Sequence, residues 1–519
     1  MCASQAASSL SLVRGRIWTG DLATPSAESL TVLNGRVVFL DAPSRMPTID
    51  LDGAFAMPGL IDAHLHLALG GETLLDLDLS EVRSRPEFER AVLERHRTLA
   101  PGQWLLARGW NEDAFADGSV PDRTWLHVAG DRPVVAWRMD MHSCVVNEVV
   151  LAMLDLAHDP PGGRIVRDAT LAPTGLLQEA AAWTLVSPRV PSPGADAMRR
   201  AVRLAQDHLA RLGLTGVGSM EYAKTLQNAI VPERDHLLVR MYVTLLDRDW
   251  PLDLRVAQEF RSDDMLAVIG MKAFVDGTLG SRTARMLEDY ADDPGNRGLL
   301  VELAERGVLN DWAAFVRGAG LSPSMHAIGD EAVRLALDAC DLAEKTHGVP
   351  ARVEHAQTVA PEDLPRFRGR FASMQPLHKA YDAVSAESRL GSARMNRFFP
   401  FRSLARAGAR LAFGSDWPIV SADPIAGMRA AITGLDVRGR VIRPEENLSV
   451  EECLFAYTRG AATCLGMRDC GVLRPGSHGD ITILDRDPRL CDWSRETPRV
   501  LGTIVAGRVT FLDPSLQVL

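Results

Sequence analysis

The strongest constraint on this chain is an alternation: eight short apolar runs, each followed by a stretch with helical periodicity. The runs are Gly59–Leu67, Thr215–Met220, Val239–Leu246, Val268–Val275, Leu321–His326, Arg352–His355, Phe371–Met374 and Leu411–Gly414. Amphipathic stretches such as Asp196–Leu212 and Asp330–Thr346 lie between them. Strands that read as continuous apolar runs are covered on both faces, and parallel strands need helical crossovers to join them. Eight such units in series predict an α/β fold, a (β/α)8 barrel. The stretch from Gly70 to about Pro191 is far too long for one strand-to-helix connection. It is expected to fold as an insertion after the first strand, with seams at Pro160-Pro-Gly-Gly163 and Pro191-Ser-Pro-Gly194.

Both ends of the chain have a different texture. Leu10–Trp18, Ser29–Leu33 and Arg36–Leu40 are β-rich, and Asn34-Gly35 between two apolar runs is a strong hairpin signal. Gly479–Leu484 and Val500–Ala506 read as strands, and Gly507–Phe511 echoes Gly35–Phe39. These pieces predict one small β domain built from both termini. The expected boundaries are 1–55 and 468–519 for that domain, 56–70 and 195–467 for the barrel, and 71–194 for the insertion.

Composition narrows the partners. The balance of 57 basic against 67 acidic side chains leaves a net charge of −10, which disfavours a broad nucleic-acid footprint. No run of about 18 apolar residues suits a membrane span. Seven scattered cysteines without a Cys-x-x-Cys pair, and no basic-then-apolar leader, make a reducing, cytoplasmic setting the expectation.

The chemistry gathers at the ends of the apolar runs. His64 and His66 lie two apart in Met57-Pro-Gly-Leu-Ile-Asp-Ala-His64-Leu-His66, so their rings leave one face of a strand about 7 Å apart along the chain. Two neutral imidazoles there can chelate one divalent metal. Taken alone, the pair is equally a strand end that holds two histidines. His326 ends the fifth run, His355 the sixth, and Asp416 follows the eighth. Any one of them reads as a helix cap or a satisfied core group, but four histidines and an aspartate at the active-site rim of one barrel point to a metal site. Only four of the 57 basic residues are lysines, and one of them, Lys272, sits in the apolar fourth run. Burial lowers a lysine's pKa and frees its amine, which carbon dioxide can convert to an anionic carbamate. The plainer alternative is an ordinary lysine paired with Asp276.

These segments together resemble the amidohydrolase superfamily, in particular its family 3, the branch of N-substituted formamide deformylase and YtcJ-like proteins. The resemblance runs nearly end to end. It rests on PGLIDAHLHL (58–67), MDMHSCVVN (139–147), PTGLLQEAA (173–181), KAFVDGTLGSRTA (272–284), MHAIGD (325–330), RVEHAQ (352–357), FGSDWPI (413–419) and PGSHGDITILDRDP (475–488). It implies a distorted barrel, a split β-sandwich and an α+β insertion after barrel strand one. It also implies two zinc-like ions per chain. His64 and His66 would hold the more buried ion, Lys272 as its carbamate would bridge, His326 and His355 would hold the second, and Asp416 would contact the buried ion and a bridging hydroxide.

The activity so implied is hydrolysis of an amide-type C–N bond, in an N-substituted formamide or a cyclic amide, by a metal-bound hydroxide. Asp416 would take the water's proton and pass it to the leaving nitrogen. His142, Arg282 and Glu179 would approach a small-molecule substrate, with Trp110 and Trp417 as apolar walls. Each has a structural alternative: Arg282 paired with Asp276 or Glu288, a satisfied His142, a capping Glu179, tryptophans in the core. A homodimer also follows from the resemblance. A metal-dependent decarboxylase or isomerase on the same barrel, or a metal-stabilised binding protein, are the competing readings.

Overall fold

The computed structural model describes residues 9–42, 46–112, 115, 118–138, 143–160, 163–179, 181–247, 254–260, 263–343 and 350–519. The eight apolar runs form one parallel sheet. Its strands are β1 (Leu60–Leu65), β2 (Leu214–Glu221), β3 (Arg240–Leu245), β4 (Leu266–Phe274), β5 (Ser322–Ala327), β6 (Arg352–His355), β7 (Phe371–Met374) and β8 (Arg410–Phe413), paired in sequence order. Each observed end falls within two residues of the predicted one. The sheet curls until β8 meets β1. Beyond β8, the N–H groups of Ser415 and Asp416 donate to the His64 carbonyl at 3.2 and 2.6 Å. A Cβ at Gly414 would lie 2.5 Å from the His64 nitrogen, so only glycine lets the two strands approach this closely.

Two smaller sheets share residues from both termini. One runs Gln517–Val518, Thr48–Asp50, Leu10–Val13, Leu30–Leu33, Arg36–Leu40; the other runs Arg508–Leu512, Val500–Val505, Ile481–Leu484, Phe55–Pro58, Arg16–Trp18, Ser26–Ala27. Leu12, Val32, Ile49, Ile481 and Ile504 are buried in their common core. The predicted run Leu10–Trp18 is in fact two strands. The chain turns at Arg14, whose φ is +55°, and passes from one sheet to the other. Asn34 and Gly35 (φ +51° and +77°) make the expected hairpin, and Ala506-Gly507 (φ +48° and +71°) repeats it at the other terminus.

The sandwich is fastened to the amino ends of the barrel strands. Arg240, the first residue of β3, donates to both carboxylate oxygens of Asp480 at 2.6 and 3.0 Å. Thr482 accepts the Leu60 N–H at 3.0 Å and donates to the Gly213 carbonyl at 2.7 Å.

The chain divides into two compact units, residues 1–70 with 202–519, and residues 71–201. The second is a six-stranded sheet in the order Gly163–Arg167, Pro173–Glu179, Ser143–Val146, Val134–Arg138, Leu105–Trp110, Leu77–Asp78. Alternate residues of its central strands serve two cores, Val134 and Ala136 with Phe88, Trp110 and Trp125, and Val135 with Cys144, Val146 and Leu177. Among the described residues, no helix is long and apolar enough to cross a membrane.

Candidate metal centre

The carboxyl ends of β1, β4, β5, β6 and β8 bring polar side chains into one buried cluster. His64 is 1% exposed. Its Nδ1 lies 2.7 Å from Glu354 Oε2, which directs Nε2 towards Asp416 Oδ1 at 3.3 Å and Lys272 Nζ at 3.5 Å. Such a carboxylate behind a histidine fixes ring orientation and raises its basicity. Glu354 is in turn held by Ser324 Oγ at 2.5 Å and by the buried guanidinium of Arg352. Burial would raise the Glu354 carboxyl, but Arg352 and His64 outweigh it and keep the group well below the usual carboxylate range. Burial and the Lys272 charge push the His64 imidazole down, yet Glu354 and Asp416 hold it above its ordinary value.

Asp416 is shared. Oδ1 lies 3.3 Å from His64 Nε2 and 3.1 Å from His66 Nε2, and Oδ2 lies 3.6 Å from His378 Nε2. Despite burial, the His64 charge and hydrogen bond hold its carboxyl well below the usual range, so it stays ionised. Asp416 and His355 have φ of +61° and +70°. Left-handed backbone is uncommon outside glycine, and these are two of the fourteen non-glycine positions that adopt it among the described residues. Burial leads the causes that keep His355 and His326 neutral, the latter down to about 3.

Among the described residues, two groups of three bring metal-binding atoms within 4.8 Å of one another: His64, His66 and Asp416, and His355, His378 and Asp416. His355 Nδ1 and His378 Nε2 are buried with no hydrogen-bond partner. Leaving such nitrogens unsatisfied is costly, and imidazole–carboxylate sets of this kind suit a zinc-class ion. The residues present therefore fit the implied metal. Lys272, 2% exposed, lies 5.4 Å over the Phe274 ring. Asp276 is engaged by the N–H groups of Arg285, Ile328 and Gly329 at 2.7–3.0 Å.

Six expected ligands thus converge, but His326 stands differently from the rest. Its Nε2 donates to the Gly277 carbonyl at 3.1 Å, although its ring lies 4.5 Å from that of His355. Sequence reasoning passed over His378, Glu354 and Glu221. His378 is the third residue of the helix Pro376–Leu390, which starts directly after β7, the one late strand end given no functional residue. That vacancy in the pattern was the available signal. Glu221, ending β2, accepts from the Ala68 N–H at 3.0 Å and from Ser219 Oγ at 2.6 Å, tying down the turn after His66.

The groups expected at the substrate are scattered. Trp417 is buried against Gly70 and stacks on His208 at 5.4 Å. Arg282 is bound to Asp292 through two hydrogen bonds of 3.0 Å, not to Asp276 or Glu288. Trp110 is 1% exposed in the core of the insertion, its Nε1 donating to the Ala136 carbonyl at 2.8 Å. Glu179 ends the strand Pro173–Glu179, its side chain outside the described residues, as is all of His142.

An eight-stranded parallel barrel with imidazoles and one carboxylate at its carboxyl end defines the class of barrel hydrolases that use bound metal. The chain belongs to the amidohydrolase family, whose family-3 profile matches residues 47–511. It is 32% identical to the protein LONG AFTER FAR-RED 3 of Arabidopsis thaliana over 96% of this chain and 91% of that one. It is 26% identical to N-substituted formamide deformylase of Arthrobacter pascens, over 93% and 94%. Among solved structures, an uncharacterised metal-dependent hydrolase from Pyrococcus furiosus matches with a TM-score of 0.75 and 29% identity, over 93% of this chain and 100% of that one.

Proposed function

We propose that the protein is a metal-dependent hydrolase that cleaves an amide-type C–N bond of a small molecule, with an N-substituted formamide or a cyclic amide as the favoured substrate class. The observation that carries this reading is Asp416, a buried ionised carboxylate whose two oxygens face different imidazoles beside a buried lysine. The name of the formamide deformylase relative supports the C–N class.

In this reading His64, His66 and Asp416 would hold one ion, His326 and His355 a second, and Lys272 would bridge the two. Lys272 would do so as its carbamate: the ammonium gives up one proton, and the free amine then adds to carbon dioxide, forming an N–C bond and releasing a second proton, so that a cation becomes an anion. The bound ions supply Lewis-acid activation of water and of the substrate carbonyl. Asp416 accepts the proton of the attacking water and delivers it to the leaving nitrogen. Glu354 keeps His64 oriented throughout, and burial excludes bulk water. Trp417 and Arg282, which share a compact unit with the ligands, are the groups we propose for contact with substrate.

The test is elemental analysis of protein purified without chelators and with bicarbonate present, followed by an amide and formamide panel in ¹⁸O-water. About two zinc-like ions per chain and one ¹⁸O in the product acid are expected. Turnover without ¹⁸O incorporation would instead identify a decarboxylase or isomerase, and no ion after metal supplementation would end the hydrolase reading.

A further inference from the structure

The reading above leaves one buried imidazole at the centre without a task. His378 is 8% exposed, its Nε2 has no hydrogen-bond partner, and that nitrogen lies 3.6 Å from Asp416 Oδ2. Its ring is inclined by 29° to that of His355, with centroids 5.9 Å apart. His355 Nδ1 is likewise buried and partnerless. Ligand atoms of His355, His378 and Asp416 lie within 4.8 Å of one another, and buried imidazole nitrogens without partners beside such a group are costly unless something binds there.

Rigid elements set this placement. His378 is carried on the first turn of the helix Pro376–Leu390, with Pro376 at its start. One turn further along, Asp382 accepts a hydrogen bond from Gln357 Nε2 at 2.7 Å, pinning the helix to the segment that follows β6. Asp416 is divided accordingly, with Oδ1 on the His64 and His66 side and Oδ2 on the His378 side. His326, the donor expected to share an ion with His355, has its Nε2 on the Gly277 carbonyl at 3.1 Å instead.

We propose that His378 is a protein ligand of the second ion, which it holds together with His355 and Asp416 Oδ2. Two imidazoles and one carboxylate oxygen select a zinc-class transition metal over magnesium or calcium. This inference rests on the metal-dependent reading, but it assigns a ligand that reading does not contain. It also makes β7 contribute to the centre through the helix that follows it, so that the ion sits between the ends of β6, β7 and β8.

Cobalt titration of metal-depleted full-length protein tests it, with bound equivalents counted by elemental analysis and the visible absorption of Co²⁺ reporting its ligands. The wild type is expected to take up two equivalents. His378→Ala should leave one equivalent as tightly bound as in the wild type, weaken the other by more than about 10-fold, and alter its spectrum. Loss of an outer partner of a metal ligand already costs about 10- to 100-fold, and a direct ligand costs at least that. His378→Asp, which restores an oxygen donor, should recover much of the loss, and His326→Ala should weaken the second ion less than His378→Ala does. Unchanged stoichiometry, affinity and spectrum in a folded His378→Ala protein would overturn the proposal. If that variant does not fold, the same comparison made with His378→Gln decides. If the wild type holds a single ion, its weakening in the variant supports the proposal and its retention refutes it. A wild type that binds no cobalt overturns the metal-dependent reading itself, a different result from a wild type that binds cobalt regardless of residue 378.

Discussion

The barrel has a buried polar cluster at each end, and the two are built on opposite terms. At the amino end, Arg240 lies against Asp480 and His478, with Nη2 at 2.9 Å from His478 Nδ1, and Cys470 Sγ lies 3.6 Å from Asp480 Oδ2. The ion pair is closed: a bidentate guanidinium meets a carboxylate that also accepts the Ala506 N–H at 2.8 Å. At the carboxyl end, Asp416 and Glu354 are held but His355 Nδ1 and His378 Nε2 are not. Burial is comparable, with Asp480 4% exposed and Asp416 8%. What separates them is satisfaction. A closed cluster fastens sandwich to barrel, whereas the other gathers the imidazole and carboxylate donors that a zinc-class ion takes.

Asp416→Asn should strike the chemical step while sparing the metal. Loss of the proton acceptor is expected to lower turnover about 10²- to 10⁴-fold while much of the metal stays bound, as kinetics and elemental analysis on one preparation will show. Wild-type turnover would remove Asp416 from the chemical step.

Next comes the opposite end. Asp480→Ala leaves Arg240 buried without its carboxylate and should cost about 3–5 kcal/mol, read from urea unfolding. The ion content of the folded protein should not change. A loss of metal here would break the division of labour between the two ends.

Lys272→Ala should cost at least one ion and abolish turnover, with partial return on addition of short carboxylic acids that mimic the carbamate. Full metal and full rate in this variant would rule out a bridging role for Lys272.

The closed cluster also has a pH signature. Burial alone would raise the Asp480 carboxyl, but the charge and hydrogen bonds of Arg240 outweigh it and hold the group below its ordinary value. A carboxyl whose pKa is depressed on folding stabilises the protein above its unfolded value of about 3.9, and that contribution is lost as pH falls through the folded value. The stability gap between wild type and Asp480→Asn, measured by urea midpoint, should therefore be full at pH 7 and narrow below about pH 4.

The smallest effect belongs to a pair outside both clusters. Arg85 Nε and Glu89 Oε1 are 2.7 Å apart one helical turn from each other, both partly exposed. Glu89→Ala, which leaves Arg85 over the Trp125 ring, should change unfolding free energy by no more than about 0.5 kcal/mol, since solvent screens such pairs. A larger change would show that proximity alone, without burial, separates strong pairs from weak ones in this chain.

Much of this was legible in the chain itself. The eight barrel strands stand out because strands covered on both faces must be continuously apolar, and the two hairpins because Asn34-Gly35 and Gly507 suit positive φ. His64, His66, His326, His355 and Asp416 were found by one rule, that barrel chemistry gathers at the carboxyl ends of strands. The break at Arg14 was not legible, because nothing in a run of β-forming residues announces that it changes sheets. His378 was legible only as a vacancy after β7, since the rule looks at strand ends and this histidine is on the next helix.

Sequence alone therefore determined the strand–helix alternation and pointed to two β-rich ends and to the residue types gathered at the strand ends, because each depends on local periodicity or on position within a repeated unit. The tertiary structure decided which groups meet. Glu354 stands behind His64 across 290 residues, Arg240 finds Asp480 across 240, and the two oxygens of Asp416 face different histidines. Such contacts arise from barrel closure and from the buried angle of each side chain, and no pattern along the chain encodes them. Closure of β8 onto β1 is what turns a row of strand ends into a single site.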